Sequence, residues 1–294
     1  MSVSVLAYQH EAFIAEALDG ILAQEVTFPV EIVVGDDASA DATPDILRDY
    51  AARYPHVLRL HLHATRGAGV PGRVNNVHNL TSCRGRYIAL HDGDDVWVRR
   101  DKLARQVAFL ETHPDYALAS QHTHRTDGPD EDISLETIAA TGRYDLFASS
   151  LLVRREALLP LPPWFDEVVY ADYFLACHVL SAGRGLVSGT PYIYYRRHAG
   201  SFMSAAYRDD FQVIHRHDDL RRLLSYFPRL SGGRGLRTML AELLWLAILR
   251  AARRRRPGLL AAALKRMPSY TPGEHLRAAR QTARMATGYL RGPG

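Results

Sequence analysis

Cysteine is scarce. Cys83 and Cys177 are the only two in 294 residues, too few and too far apart for a disulfide framework or a CxxC zinc site. A reducing compartment is therefore the default. Lysine is almost absent while arginine and alanine abound, a bias of the kind a GC-rich genome imposes. Long hydrophobic runs are missing as well. The most apolar helix candidate, MLAELLWLAIL (239–249), is too short to span a bilayer and carries Glu242. The N-terminus, MSVSVLAYQHEAF, lacks a basic start followed by an apolar core. No signal peptide is expected, and the expected location is the cytoplasm.

What is present is ordinary globular composition, 47% hydrophobic and 23% charged, enough for a large domain with an appendage. The net charge of +4 hides an asymmetry. From Tyr207 onward 18 Lys/Arg face 6 Asp/Glu, a net of +12, which leaves −8 on residues 1–206. An acidic front and a basic tail imply two regions with different partners.

Up to about residue 115 the pattern alternates. SVSVLAY (2–8) reads as a strand, and 11–24 places apolar residues at helical spacing. VEIVVGDD (30–37) is a second strand, and Thr43 and Pro44 open a helix as N-cap and first helical residue. A strand at 57–63, a Gly-rich turn, a helix near 73–83, the strand GRYIALHDGDD and a helix ending before Pro114 follow. Strands alternating with helices predict an α/β fold with a mostly parallel sheet. Ligands in such sheets bind at the carboxyl ends of the strands. Both acidic clusters, Asp36–Asp37 and Asp92–Asp94–Asp95, stand at such ends.

Like charges packed that closely repel, and a cation relieves them. Oxygen donors favour magnesium, manganese or calcium over zinc or copper. With two or three carboxylates supplied, phosphate oxygens or water must complete the shell, which suits a nucleoside diphosphate leaving group. The plainer reading is a solvated Asp/Gly turn closing a strand.

SVSVLAYQHEAFIAEALDGILAQ, VEIVVGDDASADATPDIL and GRYIALHDGDDVWVRRDKLARQ together resemble the three nucleotide-binding blocks of inverting family 2 glycosyltransferases. The resemblance resumes at FDEVVYADYFLACHVLSAGRG and YIYYRRHAGSFMS and covers about 200 residues in order. It implies a GT-A fold, a Rossmann-like and mostly parallel sheet flanked by helices, here with a C-terminal helical region. The implied domains are 1–206, with a nucleotide-sugar half (1–112) and an acceptor half (113–206), and a basic helical region at 207–294.

The same resemblance implies site roles. Tyr8 and Asp37 would hold the base, Arg73 and Asn76 the nucleotide and ribose, and Asp92 or Asp94 the ribose and metal. Gln9 stands where the family usually has Asn. Mn²⁺ or Mg²⁺ would sit on Asp94 and Asp95, with His198 as a further metal or phosphate contact. Arg196 or Arg197 would neutralise the leaving group. Inversion is a single displacement and needs only a base for the acceptor hydroxyl. The family motif places it at Asp172, with Asp166 and Glu167 as competitors and a helix N-cap as the plain alternative.

The donor expected is a nucleotide sugar, UDP-linked foremost, and the acceptor a saccharide or lipid-linked saccharide. The Arg-rich tail, with its helices near 237–266, suits either a membrane surface or packing on the catalytic domain or a second subunit, as in a homodimer. Nucleic acid is not expected, since no groove-reading motif accompanies the charge. The HLH (61–63) and HTH (122–124) stretches read as ordinary strand residues rather than a zinc site. Rival functions fare worse: LAYQHEAF lacks the Gly-rich loop of a nucleotidyltransferase and the GxGxxG of a dinucleotide oxidoreductase. A glycoside hydrolase has no need of the DxD cluster. A catalytically degenerate sugar-nucleotide-binding protein is opposed by Asp172 and the intact acidic motif.

Overall fold

The computed structural model describes residues 1–121, 129–142, 146–196, 198 and 212–290, with side chains to 283. The HTH stretch and Arg197 lie outside the described residues. The chain divides into two compact units, Met1–Ser134 with Asp145–Arg196, and Leu135–Tyr144 with Arg197–Gly294.

Among the described residues the first unit has ten strands: β1 (Ser2–Ala7), β2 (Glu31–Asp36), β3 (Leu58–Leu62), β4 (Tyr87–Asp92), β5 (Val96–Trp97), β6 (Tyr116–Gln121), β7 (Glu131–Ile133), β8 (Leu152–Arg154), β9 (Arg184–Ser188) and β10 (Ile193–Tyr194). Eight form one sheet in the order β3-β2-β1-β4-β8-β6-β9-β7, and β10 pairs with β5 separately. The first four run parallel, joined by α1 (Ile14–Leu22), α2 (Thr43–Arg53) and α3 (Arg73–Ser82). Val3, Val5, Ile32, Val33 and Val34 are all buried, because helices cover both faces of a parallel sheet. Each such side chain contributes about 1.5–3 kcal/mol by leaving water.

β8 runs antiparallel between β4 and β6. The expected donor and acceptor halves therefore share one hydrogen-bonded sheet, with no break at 112. Thr43 is the first helical residue of α2 and not its cap. The capping oxygen comes from Asp41, whose Oδ1 accepts the Thr43 N–H at 3.0 Å, while Thr43 Oγ1 accepts the His10 N–H at 2.8 Å. α4 (Lys102–Thr112) follows β5.

The second unit is helical. Its elements are α5 (Leu135–Thr141) and, after α6 (Arg155–Leu158) and α7 (Ala171–Leu180) of the first unit, α8 (Gln212–Arg221), α9 (Leu223–Tyr226), α10 (Arg234–Arg254), α11 (Pro257–Arg266) and α12 (Pro272–Leu290). α10 is the hub, packed by α5, α8, α11 and α12. The apolar stretch 239–249 lies in it, with Leu240, Ala241, Leu244 and Ala247 fully buried. No described helix is long and apolar enough to cross a membrane. The long Arg-rich run breaks at Arg255, in left-handed backbone (φ 49°), before Pro257 starts α11. Leu135–Tyr144, expected within the catalytic domain, belongs to this unit because α5 lies against α10.

Candidate active site

β2, β1 and β4 are adjacent and parallel, with Ala7 opposite Asp36 and Leu6 opposite Asp92. Their carboxyl ends form one rim, carrying Tyr8, Asp37 and the Asp92–Asp95 turn.

At the β1–β2 part of the rim the two acids separate in role. Asp36 closes its own turn, accepting from Ser39 Oγ at 2.5 Å and Ser39 N at 2.9 Å. Asp37 is 2% exposed, and its Oδ1 is buried with no hydrogen-bond partner. Its other oxygen accepts from Arg66 Nε at 3.3 Å, and the Arg66 guanidinium lies 4.0 Å from the centre of the Tyr8 ring. Tyr8 and Asp37 thus converge, joined by Arg66, which sequence reading missed. The β1 loop is stitched to the β2 loop by Gln9 N on Ser39 Oγ (2.8 Å) and Ala42 N on Glu11 Oε2 (2.9 Å). Gln9 itself has φ 54°, the left-handed region that Asn tolerates better than Gln. That is the physical reason an Asn suits this position.

At the β4 end the turn is closed by Asp95 N–H on the Asp92 carbonyl at 3.0 Å. Gly93 is pressed against the start of α1: a Cβ there would come within 2.8 Å of His10 Nδ1 and Ile14 Cδ1. Any larger middle residue in the acidic motif would have to displace those two side chains. Asp95 is 1% exposed, with both oxygens engaged, by Ser149 Oγ at 2.6 Å and by the Arg196 N–H at 3.1 Å. Expected among the metal ligands, it stands as a buried support. Asp92 and Asp94 are half-buried, and His10 Nε2 is 4.0 Å from Asp94 Oδ2.

Burial, then the charges of Asp94, Asp95 and Asp172, push the Asp92 carboxyl well above its ordinary range. Burial foremost, then Asp94, pushes Asp95 up to about 7 against the Ser149 and Arg196 hydrogen bonds. Burial and the same four acids raise the Tyr195 phenol. Behind the turn, burial lowers His91 to about 4 and Lys102 to about 7. Lys102 is fully buried, 2.8 Å from Gln106 Oε1 and 4.2 Å from the Trp97 ring centre. A cluster of hard oxygens whose charges are this costly fits a divalent cation. Among the described residues no three His, Cys, Asp or Glu side chains form a complete ligand set. Ligand oxygens from outside the protein would have to finish the shell.

Asp172 lies in the first turn of α7, half-buried, and its charge acts on Asp92. The N-cap position is Tyr170, and Asp172, two residues on, accepts the Tyr173 N–H on Oδ1 at 2.8 Å. Asp166 and Glu167 are exposed in the preceding 3₁₀ turn. Arg196 binds Glu16 Oε2 at 2.5 Å and the Asp94 carbonyl at 3.0 Å, bracing the acidic turn against α1. His198 is half-buried, two residues further on.

Arg73 turns elsewhere than expected. It is buried, donates to the Val168 carbonyl and lies 3.9 Å over the Phe165 ring, so it supports the loop leading to α7. Asn76 is half-buried on α3, while its neighbours Asn75 and Asn79 are buried and donate to the Gly35 and Val5 carbonyls at 2.9 and 2.8 Å. His61 and His63 do share a face, and the fold brings His78 against them, 4.2 Å from His61 by ring centres.

The profile of the family described as glycosyl transferase family 2 matches residues 2–158. An uncharacterized protein of Mycobacterium tuberculosis is 37% identical over 220 residues, 71% of this chain and 62% of that protein. The chain thus spans less than two thirds of that relative's length. Among solved structures, the mannosyltransferase PcManGT of Pyrobaculum calidifontis, in complex with GDP-Man and Mn²⁺, superposes with a TM-score of 0.60 at 22% identity. That match covers 96% of this chain and 86% of the other. Residues 1–349 of S. aureus TarS, in complex with UDP-GlcNAc, give 0.57 at 19% identity, covering 97% and 91%. At such identities these two establish the fold.

Proposed function

Because the chain belongs to glycosyl transferase family 2, we propose that it moves a sugar from a nucleotide-sugar donor to a hydroxyl of a saccharide or lipid-linked acceptor, with inversion. The sugar is a hexose or N-acetylhexosamine and the carrier foremost UDP. The observation that carries this reading is the position of Asp172: a fourth carboxylate, on a different element, whose charge reaches the acidic turn at the β4 end.

Tyr8 offers a ring face for the base. The unpartnered Asp37 Oδ1 is an acceptor for a base N–H, at no cost to an existing hydrogen bond. Asp94 and Asp92 would hold the donor's diphosphate together with Mn²⁺ or Mg²⁺, and Asp95 braces the turn from beneath. The cation neutralises charge on the diphosphate oxygens when bound. Asp172 takes the proton of the acceptor hydroxyl as that oxygen closes on the anomeric carbon. That a fold neighbour binds GDP-Man with Mn²⁺ and another UDP-GlcNAc supports this class of donor and cofactor. Contact with an inner-membrane surface falls to α11, whose Leu260 and Leu264 are exposed beside Arg253–Arg256.

Incubating the protein with a panel of sugar nucleotides, with Mn²⁺, with Mg²⁺ and with EDTA, tests the reading. Metal-dependent turnover giving a product of inverted anomeric configuration is expected. Nucleotide binding without turnover of any donor, water or saccharide present, would favour a degenerate binding protein instead.

A further inference from the structure

The helical unit contains a cleft of about 780 Å³ remote in sequence from every strand-end motif. Five cationic side chains line it, Arg221, Arg222, Arg237, Lys265 and Arg266, against one acid, Asp218. Like charges so gathered repel one another, and an anion between them offsets that repulsion.

Two of the five are fixed in place. Arg266 makes a bidentate pair with Asp218, at 2.7 and 2.5 Å, and Asp218 is also 2.9 Å from His217 Nδ1. Arg237 binds Glu274 at 2.5 and 3.3 Å. Glu274 is itself held by a capping box, accepting from Thr271 N at 2.6 Å while its own N–H bonds Thr271 Oγ1 at 3.3 Å. On the floor, Tyr270 shares a 2.7 Å hydrogen bond with the fully buried His217. Those walls are rigid and cost little to organise on binding.

Arg221 and Lys265 differ. Both are exposed, and neither forms a hydrogen bond or ion pair with another described residue. They stand on different helices, α8 and α11, so one anion with several oxygens can engage both. Guanidinium groups bind such oxygens in pairs, at fixed geometry.

We propose that this cleft binds a phosphate or diphosphate group. None of the residues lining the cleft belongs to the strand-end site, and its existence does not depend on the transferase reading. The group belongs either to a lipid headgroup or to a free phosphorylated saccharide.

Inorganic pyrophosphate in EDTA, titrated calorimetrically into the full chain, is the direct probe. Binding is expected, with a loss of about tenfold or more in the double variant Arg221→Ser/Lys265→Ser and no comparable loss in Asp94→Ala, which alters the donor end. Both substituted side chains are exposed and unpaired, so the double variant keeps its fold, and an unchanged circular dichroism melt checks that. Flotation with phosphatidylcholine vesicles containing phosphatidic acid separates the sources. Recruitment that the double variant loses points to a lipid headgroup, and pyrophosphate binding without recruitment to a soluble phosphorylated ligand. Equal pyrophosphate affinity in wild type and the double variant, or no binding at millimolar pyrophosphate in low salt, overturns the proposal.

Discussion

Ser149 Oγ donates to Asp95 at 2.6 Å and accepts the Asp92 N–H at 3.0 Å, so one hydroxyl ties the first acid of the motif to the last. Its carbonyl accepts the Trp97 indole N–H at 3.1 Å. Ser149→Ala leaves the buried Asp95 carboxylate short of a donor and the Asp92 N–H short of an acceptor. A loss of about 1–3 kcal/mol in unfolding free energy is expected, with weaker Mn²⁺-dependent UDP binding. Thr at 149 keeps the hydroxyl and should restore metal-dependent binding. If Ala and Thr bind UDP alike, the hydroxyl plays no part in presenting the acids.

Asp172→Asn tests the base. It keeps size and the ability to accept the Tyr173 N–H, and removes basicity. A fall of roughly 10²–10⁴ in kcat with little change in donor affinity is expected, since the base acts only in the transition state. Near-normal transfer would move the base to Asp166 or Glu167.

Without divalent metal, Asp95 and Lys102 should make stability depend on pH with opposite signs on the two sides of about pH 7. Asp95 has a folded pKa raised to about 7, so the folded state binds more protons than the unfolded chain between about 4 and about 7. Asp92, raised for the same reasons, acts in the same sense. Their contribution to stability therefore falls as pH rises through that window, while the buried His91, lowered to about 4, contributes in the opposite sense over part of it. Lys102 has the opposite sign: its pKa is lowered from 10.5 to about 7, the unfolded chain holds the extra proton, and stability rises with pH above about 7. Urea unfolding in EDTA at about pH 5, 7 and 9 measures both limbs. Asp95→Asn should flatten the acid limb and Lys102→Met the alkaline one. An acid limb that Asp95→Asn leaves unchanged would rule out the raised Asp95 carboxyl.

In the helical unit, Gly235 meets the backbone of α5. A Cβ there would lie 2.1 Å from the Ala140 carbonyl oxygen and 2.5 Å from the Thr141 carbonyl carbon. Gly235→Ala forces apart two backbones that have no side chain to yield. A thermal midpoint several degrees lower, or loss of soluble protein, is expected. Removing everything beyond Arg208 also strips α5 of α10, so that truncation should destabilise the chain as well as change its affinity for vesicles. A truncated protein with unchanged melting would show that α10 contributes nothing to the fold.

The parallel strands and the three rim motifs were legible because each signal is local. β-branched runs end directly in the acids they carry, and helical spacing recurs between them. What stayed hidden acts over long separations. Ser149 is 54 residues from Asp95, and Arg66 is 29 from Asp37. A serine among ASSLLV carries no mark of the carboxylate it will meet. Arg73 was legible as a charge near the rim but not as a buried prop under Phe165, since that depends on a loop more than 90 residues later. The tail left two readings open, a membrane surface or a packed appendage, because charge and apolar spacing do not say what covers a helix: Leu240 and Leu244 of α10 are buried inside the helical unit, while Leu260 and Leu264 of α11 are exposed.

β8 lies between β4 and β6, so the strand that bears the acidic motif takes its outer partner from a segment some 60 residues downstream. The segments before and after residue 112 are consequently not separable along this sheet. Residues 1–112 expressed without the segment that follows would leave β4 with an open edge, a template for pairing with a neighbouring chain. A working fragment has to inherit 146–154 along with the nucleotide-binding blocks, or bring a strand of its own that seats a hydroxyl beneath the acidic turn.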